Sequence, residues 1–398
     1  MSPVIDESGR VNLFHDEFAR CPQPAYAELR RRCPVGRMVL SGAPVVSRYE
    51  DVLWALRHPE IFSSEMEMHM QLGTERPMIP QQIDPPAQTR YRKLLDPHFS
   101  RRKMEELAPA VARHARELID GFAAKGECEF DSAFAIPLPC TAFLHLLGLP
   151  LSDLSFFLEV KDDIIRPHKG RPGVLPTEFQ SFRNAAGARN YEYFRRALDE
   201  REVRPRDDLL TALSRAEIDG ERLTRNEILD ICFLLLLAGL DTVTSTLGCN
   251  MTYLASNPEQ RRRLVEQPTL IPGAVEELLR WETPVVAVPR VLKRNVTLSG
   301  VELKEGELAT LLLGAANTDD EHFEDAQRVD FERERNIHAA FGAGPHRCLG
   351  SHLARMELRV AMEVWHERIP DYAIKPGETP RFSAGIREAL YLPLVWDV

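Results

Sequence analysis

Apolar residues recur mostly at intervals of three and four along this chain, which is the spacing of α-helices. Helical patterning extends over residues 85–282, with breaks at residues 137–139 and at Pro150. A further helix is predicted for residues 351–365. The pattern therefore predicts a chain that is mainly α-helical.

Shorter apolar runs near both ends of the chain predict strands. Residues 35–49 indicate a strand pair around a turn at Ser41-Gly42, and residues 285–298 and 309–313 indicate further strands. Residues 63–83, rich in Met, Gln and Pro without a sustained period, predict an irregular loop. The expected fold class is α+β, mainly α with small β-sheets. Because no linker or low-complexity segment divides the chain, we predict a single domain over residues 1–398.

One predicted helix is unusually long and apolar. Thr224 and Glu227 have the spacing of a capping box, which indicates a helix start. Apolar patterning continues through Leu254, so we expect roughly 30 residues, or about 45 Å at a rise of 1.5 Å per residue. Apolar side chains cover all faces of this helix, which predicts that it crosses the core.

Charge and composition narrow the classes of function. The formal net charge of −10 argues against generic binding to nucleic acid or anionic membranes. Residues 1–12 have no signal-peptide pattern, and the most apolar run, residues 231–240, is too short to cross a bilayer. We therefore expect a soluble cytoplasmic protein with neither a nucleic-acid nor a membrane partner.

The seven cysteines are scattered and odd in number, with no C-x-x-C pair, so neither a disulfide framework nor a zinc ribbon is indicated. Only Cys348 has surroundings that suggest chemistry, in the run Phe341-Gly-Ala-Gly-Pro-His-Arg-Cys-Leu-Gly350. The helix predicted from Ser351 would stabilise a thiolate through its dipole, and small neighbours would let a flat macrocycle approach.

From these residues alone, a metal or haem thiolate and an inert buried cysteine are about equally favoured. A zinc site with His346 and His352 has no evident fourth ligand. A nucleotide-binding loop would need a preceding strand and a third glycine at the required spacing, and the sequence has neither.

Two further patterns have both a functional and a plain structural interpretation. Glu277 and Arg280 share a helix face and can pair, although most such pairs are solvated and contribute well under ~1 kcal/mol. In the run 238–242, Ala-Gly-Leu-Asp-Thr, the glycine costs about 1 kcal/mol relative to alanine, and the polar pair needs partners. The plain interpretation is a kink with Thr242 bonded to a carbonyl one turn earlier.

Together these segments resemble the cytochrome P450 family. The cysteine run matches the family signature F-x-x-G-x-[HR]-x-C-x-G at every fixed position, and other landmarks follow in order over almost the whole chain. The resemblance implies haem b bound between the long central helix and the cysteine loop, with the thiolate of Cys348 as axial iron ligand and with Phe341 and Gly344 of the loop among the cofactor-binding residues. It also implies a monooxygenase that uses dioxygen.

The resemblance implies roles for other residues. Asp241 and Thr242 match the acid–alcohol pair that delivers protons while dioxygen is cleaved. Propionate ligands are expected at four positions: Gln88, Arg92, Arg290 and His346. The buried structural pair of the family corresponds to Glu277 and Arg280, with Arg335 as the expected third partner.

By position, the substrate pocket is expected to be apolar, with the candidates Met78, Leu234, Leu237, Ala238, Val286 and Ile386. Gln88, the run 239–243 and the tail 392–397 resemble the camphor-hydroxylating bacterial branch, although Arg76 stands where a substrate-binding tyrosine is expected. The hypothesis is a terpenoid-like substrate, with adaptable packing from a methionine-rich loop that contains Met66, Met68 and Met70. The alternative is a fatty acid or steroid anchored through Arg76.

Electrons would come from a separate ferredoxin and its NAD(P)H-dependent reductase, because no flavin or iron–sulfur segment is evident. A basic cluster offers a docking patch, although such residues can also simply solvate helix faces; its members are Arg90, Arg92, Lys93, Arg101, Arg102 and Lys103, aided by Arg347, Arg355 or Arg359. A peroxide-driven oxygenase is the alternative within enzymes, and a non-catalytic haem-thiolate sensor is a third class. The acid–alcohol pair favours the monooxygenase over both.

Overall fold

The structure is a computed structural model that describes residues 4–6, 10–13, 15–66, 71–169, 171, 175–383 and 386–398. Two methionines of the methionine-rich loop, Met68 and Met70, lie outside the described residues. Within the described residues, Met66 is buried, and most of the predicted loop 63–83 is irregular as expected.

The described residues form helices in the following order: α1 Asp16–Arg20, α2 Gln23–Arg32, α3 Tyr49–Arg57, α4 Ala87–Leu95, α5 Arg101–Asp120, α6 Pro137–Leu147, α7 Leu154–Ile165, α8 Phe179–Val203, α9 Leu209–Ser214, α10 Arg225–Gly239, α11 Thr242–Ser256, α12 Pro258–Glu266, α13 Ile271–Glu282, α14 Leu313–Asn317 and α15 Ser351–Arg368.

The strands of the described residues are short: β1 Arg10–Val11, β2 Val35–Met38, β3 Pro44–Val46, β4 Phe62–Ser63, β5 Glu127–Glu129, β6 Glu217–Ile218, β7 Glu221–Arg222, β8 Ala287–Leu292, β9 Val296–Leu298, β10 Val301–Leu303, β11 Leu308–Leu312, β12 Ala373–Ile374, β13 Arg381–Phe382, β14 Ala389–Tyr391 and β15 Pro393–Val395. The predicted fold class, mainly α with small sheets, is confirmed.

Contacts along the backbone divide the chain into two compact units, each assembled from separated segments. Unit 1 comprises residues 1–63, 101–138 and 242–398, and unit 2 comprises residues 64–100 and 139–241. The single domain over 1–398 stays a prediction.

Unit 1 contains every described strand except β6 and β7, together with the cysteine loop. Its largest sheet has the order β1-β2-β3-β11-β8-β4, in which β11 pairs parallel with β3 and antiparallel with β8. The predicted pair β2 and β3 is antiparallel, and Gly42 supplies the positive φ of +68° in its turn. Trp365 of α15 is fully buried, with ring contacts to Phe130 and Phe134.

Unit 2 is a helical assembly in which α8 packs against α7, α9 and α10. Its core includes Phe157, Phe194 and Phe233, all fully buried. Gly73 and Gly187 let the loop before α4 approach α8, because a Cβ on Gly187 would lie 1.9 Å from the Gly73 carbonyl oxygen. A larger side chain at Gly187 would therefore separate the loop from the helix.

The predicted long central helix is two helices. Its capped start at Thr224 is confirmed, since the Thr224 hydroxyl accepts from the backbone N–H of Glu227 and the Glu227 side chain accepts from that of Thr224. The prediction of one helix through Leu254 is wrong, because α10 ends at Gly239 and α11 begins at Thr242. The stretch Arg225–Ser256 reaches a mean hydropathy of 1.9 and could cross a bilayer by length and composition. However, 72% of its most apolar window is buried, as expected for a core helix.

Candidate active site at the cysteine loop and the central helix break

Tight glycine turns shape the loop that carries Cys348. Gly342 and Gly344 have φ values of +65° and +67°, which favour glycine. A Cβ on Gly344 would lie 2.3 Å from the Leu56 carbonyl oxygen, so no other residue fits there without moving the backbone. The Cys348 N–H donates to the Phe341 carbonyl oxygen at 2.8 Å, which closes the loop. The sequence motif thus encodes this local geometry directly.

Cys348 precedes the N-terminus of α15 and is exposed. The positive end of the helix dipole favours negative charge at this position. Among the described residues, no three His, Cys, Asp or Glu side chains lie close enough to hold an ion together, so the zinc alternative finds no ligand set. Gly350 has no atom within 4 Å of its Cβ position, which leaves open space beside the loop. A single thiolate with open space beside it fits a metal that brings its own planar ligands, as haem does.

A buried ion pair secures the segment that leads to the cysteine loop. The Arg280 guanidinium binds both Glu277 carboxylate oxygens, at 2.7 and 2.9 Å, and both side chains are almost fully buried. Arg280 also donates to three backbone carbonyls, those of Asn317, Ala326 and Arg328. The structural role predicted for the pair is in accord with this geometry.

The prediction that Arg335 is the third partner of Glu277 and Arg280 is wrong. The residue that reaches Glu277 is Arg333, whose Nε lies 3.1 and 3.2 Å from the two carboxylate oxygens, and Asn336 adds a donor at 3.1 Å. Arg335 is exposed. Both arginines lie in a segment without regular structure, so sequence spacing could not decide which one points to α13.

The break between α10 and α11 places Asp241 in a buried ion-pair cluster of unit 2. Its Oδ1 accepts from Lys161 at 3.1 Å and from Arg166 at 2.9 Å, and its Oδ2 accepts from Arg166 at 2.9 Å. Burial alone would raise the pKa of Asp241, but the charges of Lys161 and Arg166 outweigh burial and lower the pKa. Sequence reasoning missed both cations, because they lie at the end of α7 and no local pattern connects them to Asp241.

Two neighbours of Asp241 explain the local chain path. A Cβ on Gly239 would lie 2.5 Å from the Phe143 ring, so this glycine permits close packing against α6. Thr242 is the half-buried first residue of α11 in unit 1. Its carbonyl oxygen accepts from the Thr246 hydroxyl at 2.7 Å. The bond expected from the Thr242 hydroxyl to a carbonyl one turn earlier stays a prediction.

The propionate candidates are distributed over both units. In unit 2, Gln88 is buried on α4, and Arg92 lies one turn later and bonds Asp96 at 2.9 Å. In unit 1, Arg290 lies on β8 and donates to the Pro289 carbonyl at 2.7 Å. His346 lies in the short 3₁₀ turn before Cys348. All four can donate hydrogen bonds to a carboxylate, which suits propionate groups.

The pocket candidates of α10 form a strip that is less buried than the rest of the helix. Leu234 and Leu237 are half-buried and Ala238 is exposed, whereas their neighbours at 231–233, 235–236 and 240 are buried. Positions i, i+3 and i+4 share one helix face, so this apolar face borders open space. Met78 in unit 2 and Val286 in unit 1 are buried, and Ile386 in unit 1 is half-buried.

Arg76 is already engaged by an acidic side chain. Its Nε and Nη2 lie 2.8 and 3.0 Å from the two oxygens of Asp230, and its Nη1 bonds Glu75 at 3.0 Å. Tyr191 donates to the same Asp230 at 3.0 Å and lies under the guanidinium. Asp230 was not foreseen, because it stands within the apolar run of α10.

The predicted basic cluster is partly neutralised. Arg90 pairs with Asp219, and Arg359 pairs with Glu105 and Glu363. In unit 1, Arg355 is paired with Glu276, and Arg101, Arg347 and Arg355 lie close enough to His352 to act on its charge. Burial, with the positive charges of these three arginines, lowers the pKa of His352 in the first turn of α15.

Comparisons with known proteins agree with this geometry. The family model Cytochrome P450 matches residues 178–365. The mycinamicin IV hydroxylase/epoxidase of Micromonospora griseorubida is 36% identical over 97% of this chain and 98% of its own length. The steroid C26-monooxygenase of Mycobacterium tuberculosis is 34% identical over 92% of this chain and 91% of its own.

Among solved structures, CYP109E1 from Bacillus megaterium in complex with testosterone superposes with a TM-score of 0.88. It is 29% identical and covers 96% of this chain and 100% of its own. The names of these three proteins point to macrolide and steroid ligands, so the predicted resemblance to the camphor-hydroxylating branch gains no support from them.

Proposed function

The chain belongs to the cytochrome P450 family and is a haem-thiolate monooxygenase, and from this premise we propose that its substrate is a bulky apolar molecule of the steroid class. When bound, the haem supplies activation of dioxygen and the oxidising chemistry. Cys348 would hold the iron, and Gln88, Arg92, Arg290 and His346 would bind the propionates. The protein's own contribution is orientation, exclusion of water and delivery of protons.

The substrate proposal rests on the ion pair that Arg76 already makes with Asp230. A fatty acid anchored through Arg76 would have to displace Asp230, which already binds the guanidinium through both carboxylate oxygens. The apolar face of α10, with Leu234, Leu237 and Ala238, offers contact to hydrocarbon instead. Relatives named for steroid and macrolide substrates support a large apolar molecule over a small terpenoid.

Proton delivery is proposed for Asp241 and Thr242. A hydroxyl at the start of α11 can hold a water molecule or a proton donor in place, and a carboxylate next to it can accept and return protons. Asp241 is ionised at neutral pH, because Lys161 and Arg166 stabilise its charge and lower its pKa. Its carboxylate must therefore exchange one of these partners for a water molecule when it transfers a proton.

Electron supply is proposed to come from an acidic ferredoxin with its NAD(P)H-dependent reductase, in the cytoplasm. Arg101, Arg347 and Arg355 all act on His352 in the first turn of α15, which follows the cysteine loop, although Glu276 offsets the charge of Arg355. Docking through these residues predicts a reduction rate that falls as ionic strength rises. A rate independent of salt would contradict the docking proposal.

A spectral titration tests the substrate class. Testosterone, camphor and palmitate are each added to the ferric protein, and the change from low to high spin is followed. We expect the strongest response to testosterone, with an affinity that Arg76→Leu leaves nearly unchanged. A response to palmitate that Arg76→Leu abolishes would instead establish the fatty-acid alternative, and a response to camphor alone would establish the terpenoid one.

A further inference from the structure

The aromatic ring of Phe341 is covered by a cation. The guanidinium carbon of Arg355, in the second turn of α15, lies 4.3 Å from the centre of this ring. At this distance the positive charge is attracted to the negative face of the ring. Phe341 opens the cysteine loop, so Arg355 contacts the loop at its first residue.

Arg355 is itself held by Glu276 on α13. Its Nε and Nη2 lie 2.6 and 2.7 Å from the two carboxylate oxygens, which is a bidentate pair. The same carboxylate lies 3.2 Å from Nε2 of His338. Nδ1 of His338 accepts from the Ala340 N–H at 3.2 Å, so the network assigns the ring proton to Nε2, which donates to Glu276.

The same segment is joined to Cys348 through the backbone. The Phe341 carbonyl oxygen accepts from the Cys348 N–H at 2.8 Å. The ring of Phe341 is thus held by Arg355, while its carbonyl holds the cysteine. The bond between the Ala340 N–H and His338 fixes the backbone of residues 338–340, which precede the loop. Glu276 connects His338 and Arg355 to α13, the helix that also carries Glu277.

We propose that Glu276, His338 and Arg355 are positioning residues that act through Phe341 to fix the geometry of the Cys348 thiolate. They do not touch the reacting atoms. Their function is to hold the Phe341 ring and carbonyl in one orientation, so that the sulfur stays a thiolate ligand in both oxidation states. The family assignment supplies the iron ligand; the three-residue network and its action through Phe341 go beyond it.

The test uses the haem-loaded protein reduced with dithionite, so that no protein electron donor is involved. Arg355→Leu and Glu276→Gln are compared for reduction potential and for the fraction of the ferrous–carbonyl form that has lost thiolate ligation. Both variants loosen Phe341, so we expect both to raise that fraction several-fold. Arg355→Lys keeps a cation but loses the flat bidentate group, and we expect an intermediate value.

A double-mutant cycle shows whether the effect passes through Phe341. In a Phe341→Leu background the ring is gone, so removing Arg355 is expected to change the potential and the lost-thiolate fraction no further. Arg263→Leu is the matched control. Arg263 also lies over a phenylalanine, Phe331 at 6.0 Å, and pairs with Glu332 at 2.7 Å, but it does not contact the cysteine loop. This control is expected to leave both readouts unchanged.

Three results would overturn the proposal. Shifts of opposite sign in Arg355→Leu and Glu276→Gln, without loss of thiolate ligation, would show a through-space charge effect. Additive effects in the Phe341→Leu background would show that Arg355 acts by another route. A lower melting temperature with unchanged spectra and potential would show a role in stability alone. Should Arg355→Leu fail to incorporate haem, the milder Arg355→Lys and Glu276→Gln variants decide by the same readouts.

Discussion

The cysteine loop and the helix break at Asp241 are held in place by different means. The turns of the loop are formed by contacts within a few residues: positive φ values at Gly342 and Gly344, and the Cys348 N–H bonded to the Phe341 carbonyl oxygen. Asp241 is fixed by two cations, Lys161 of α7 and Arg166 directly after α7, which lie 80 and 75 residues earlier in the chain. The loop geometry is therefore encoded locally, and the setting of Asp241 depends on the packing of unit 2.

This difference has a functional consequence. The Cys348 ligand must stay fixed, and short-range turns fix it. A carboxylate that transfers protons must be released by a partner, and because two cations bind Asp241, one can be exchanged for water while the other still offsets the buried charge. We expect substitutions around the loop to affect haem binding and stability, and substitutions around Asp241 to affect turnover.

The largest effect is expected from the Glu277–Arg280 pair, which binds the segment that leads to the cysteine loop. Arg280→Leu leaves the Glu277 charge buried without its main partner and removes three bonds to backbone carbonyls, so the free energy of unfolding should fall by about 3–5 kcal/mol. Urea unfolding, followed together with haem release, measures this. A loss below ~1 kcal/mol would mean that the Glu277–Arg280 pair does not stabilise the segment that leads to the loop.

At the helix break, Asp241→Asn should lower product formation by about 100-fold, because a positioned acid or base contributes at least that much. Haem and substrate binding should persist.

Thr242→Ala should divert reducing equivalents to hydrogen peroxide. The control is Asp162→Asn, which removes a carboxylate from the same Lys161 but is far from Thr242 in sequence. Equal losses in Asp162→Asn and Asp241→Asn would remove Asp241 from proton delivery.

A smaller and sharper contrast separates Arg333 from Arg335. Arg333→Leu should lower the free energy of unfolding by about 2 kcal/mol, since it removes charge-assisted bonds to buried Glu277. Arg335→Leu, at an exposed position two residues later, should change it by less than about 0.5 kcal/mol. Equal losses on urea unfolding would mean that both arginines bind α13.

The smallest effect concerns pH. Burial would raise the pKa of Glu276, but bonds to His338 and Arg355 outweigh it and lower the pKa from 4.5 to about 2. Because the folded-state pKa lies below the unfolded value, the stabilisation is complete above about 4.5 and is lost as pH falls toward 2. The free energy of unfolding of the wild type should exceed that of Glu276→Gln by about 1 kcal/mol at pH 7, allowing for solvent screening. This difference should shrink as the pH falls below 4.5. A difference constant with pH would contradict this.

The parts of the site that could be predicted from the sequence are those with local causes. The glycine-rich loop and the Glu277–Arg280 pair follow from spacing within one turn or helix, and so does the capped start of α10. Lys161, Arg166 and Asp230 were missed as partners, because their contacts depend on how α7, α8 and the loop before α4 pack in unit 2. The prediction of Arg335 as the partner of Glu277 was wrong for a related reason. Arg335 lies in an irregular segment, which has no period that fixes the direction of its side chains.

The break between α10 and α11 was foreseen only as a kink. Gly239 and the Asp-Thr pair indicated irregularity, but the apolar period continues through the break and predicts one helix. The close packing of Gly239 against Phe143 shows why the residue is glycine. The charges of Lys161 and Arg166 then explain why an aspartate can be buried there.

The most direct test of thiolate ligation by Cys348 is the carbon monoxide spectrum of the reduced, haem-loaded protein, recorded for wild type and for Cys348→Ala. We predict the red-shifted Soret band of a thiolate-ligated haem in wild type and its complete loss in the variant. A wild-type band like that of an imidazole-ligated globin, or a thiolate band that survives in Cys348→Ala, would contradict this prediction.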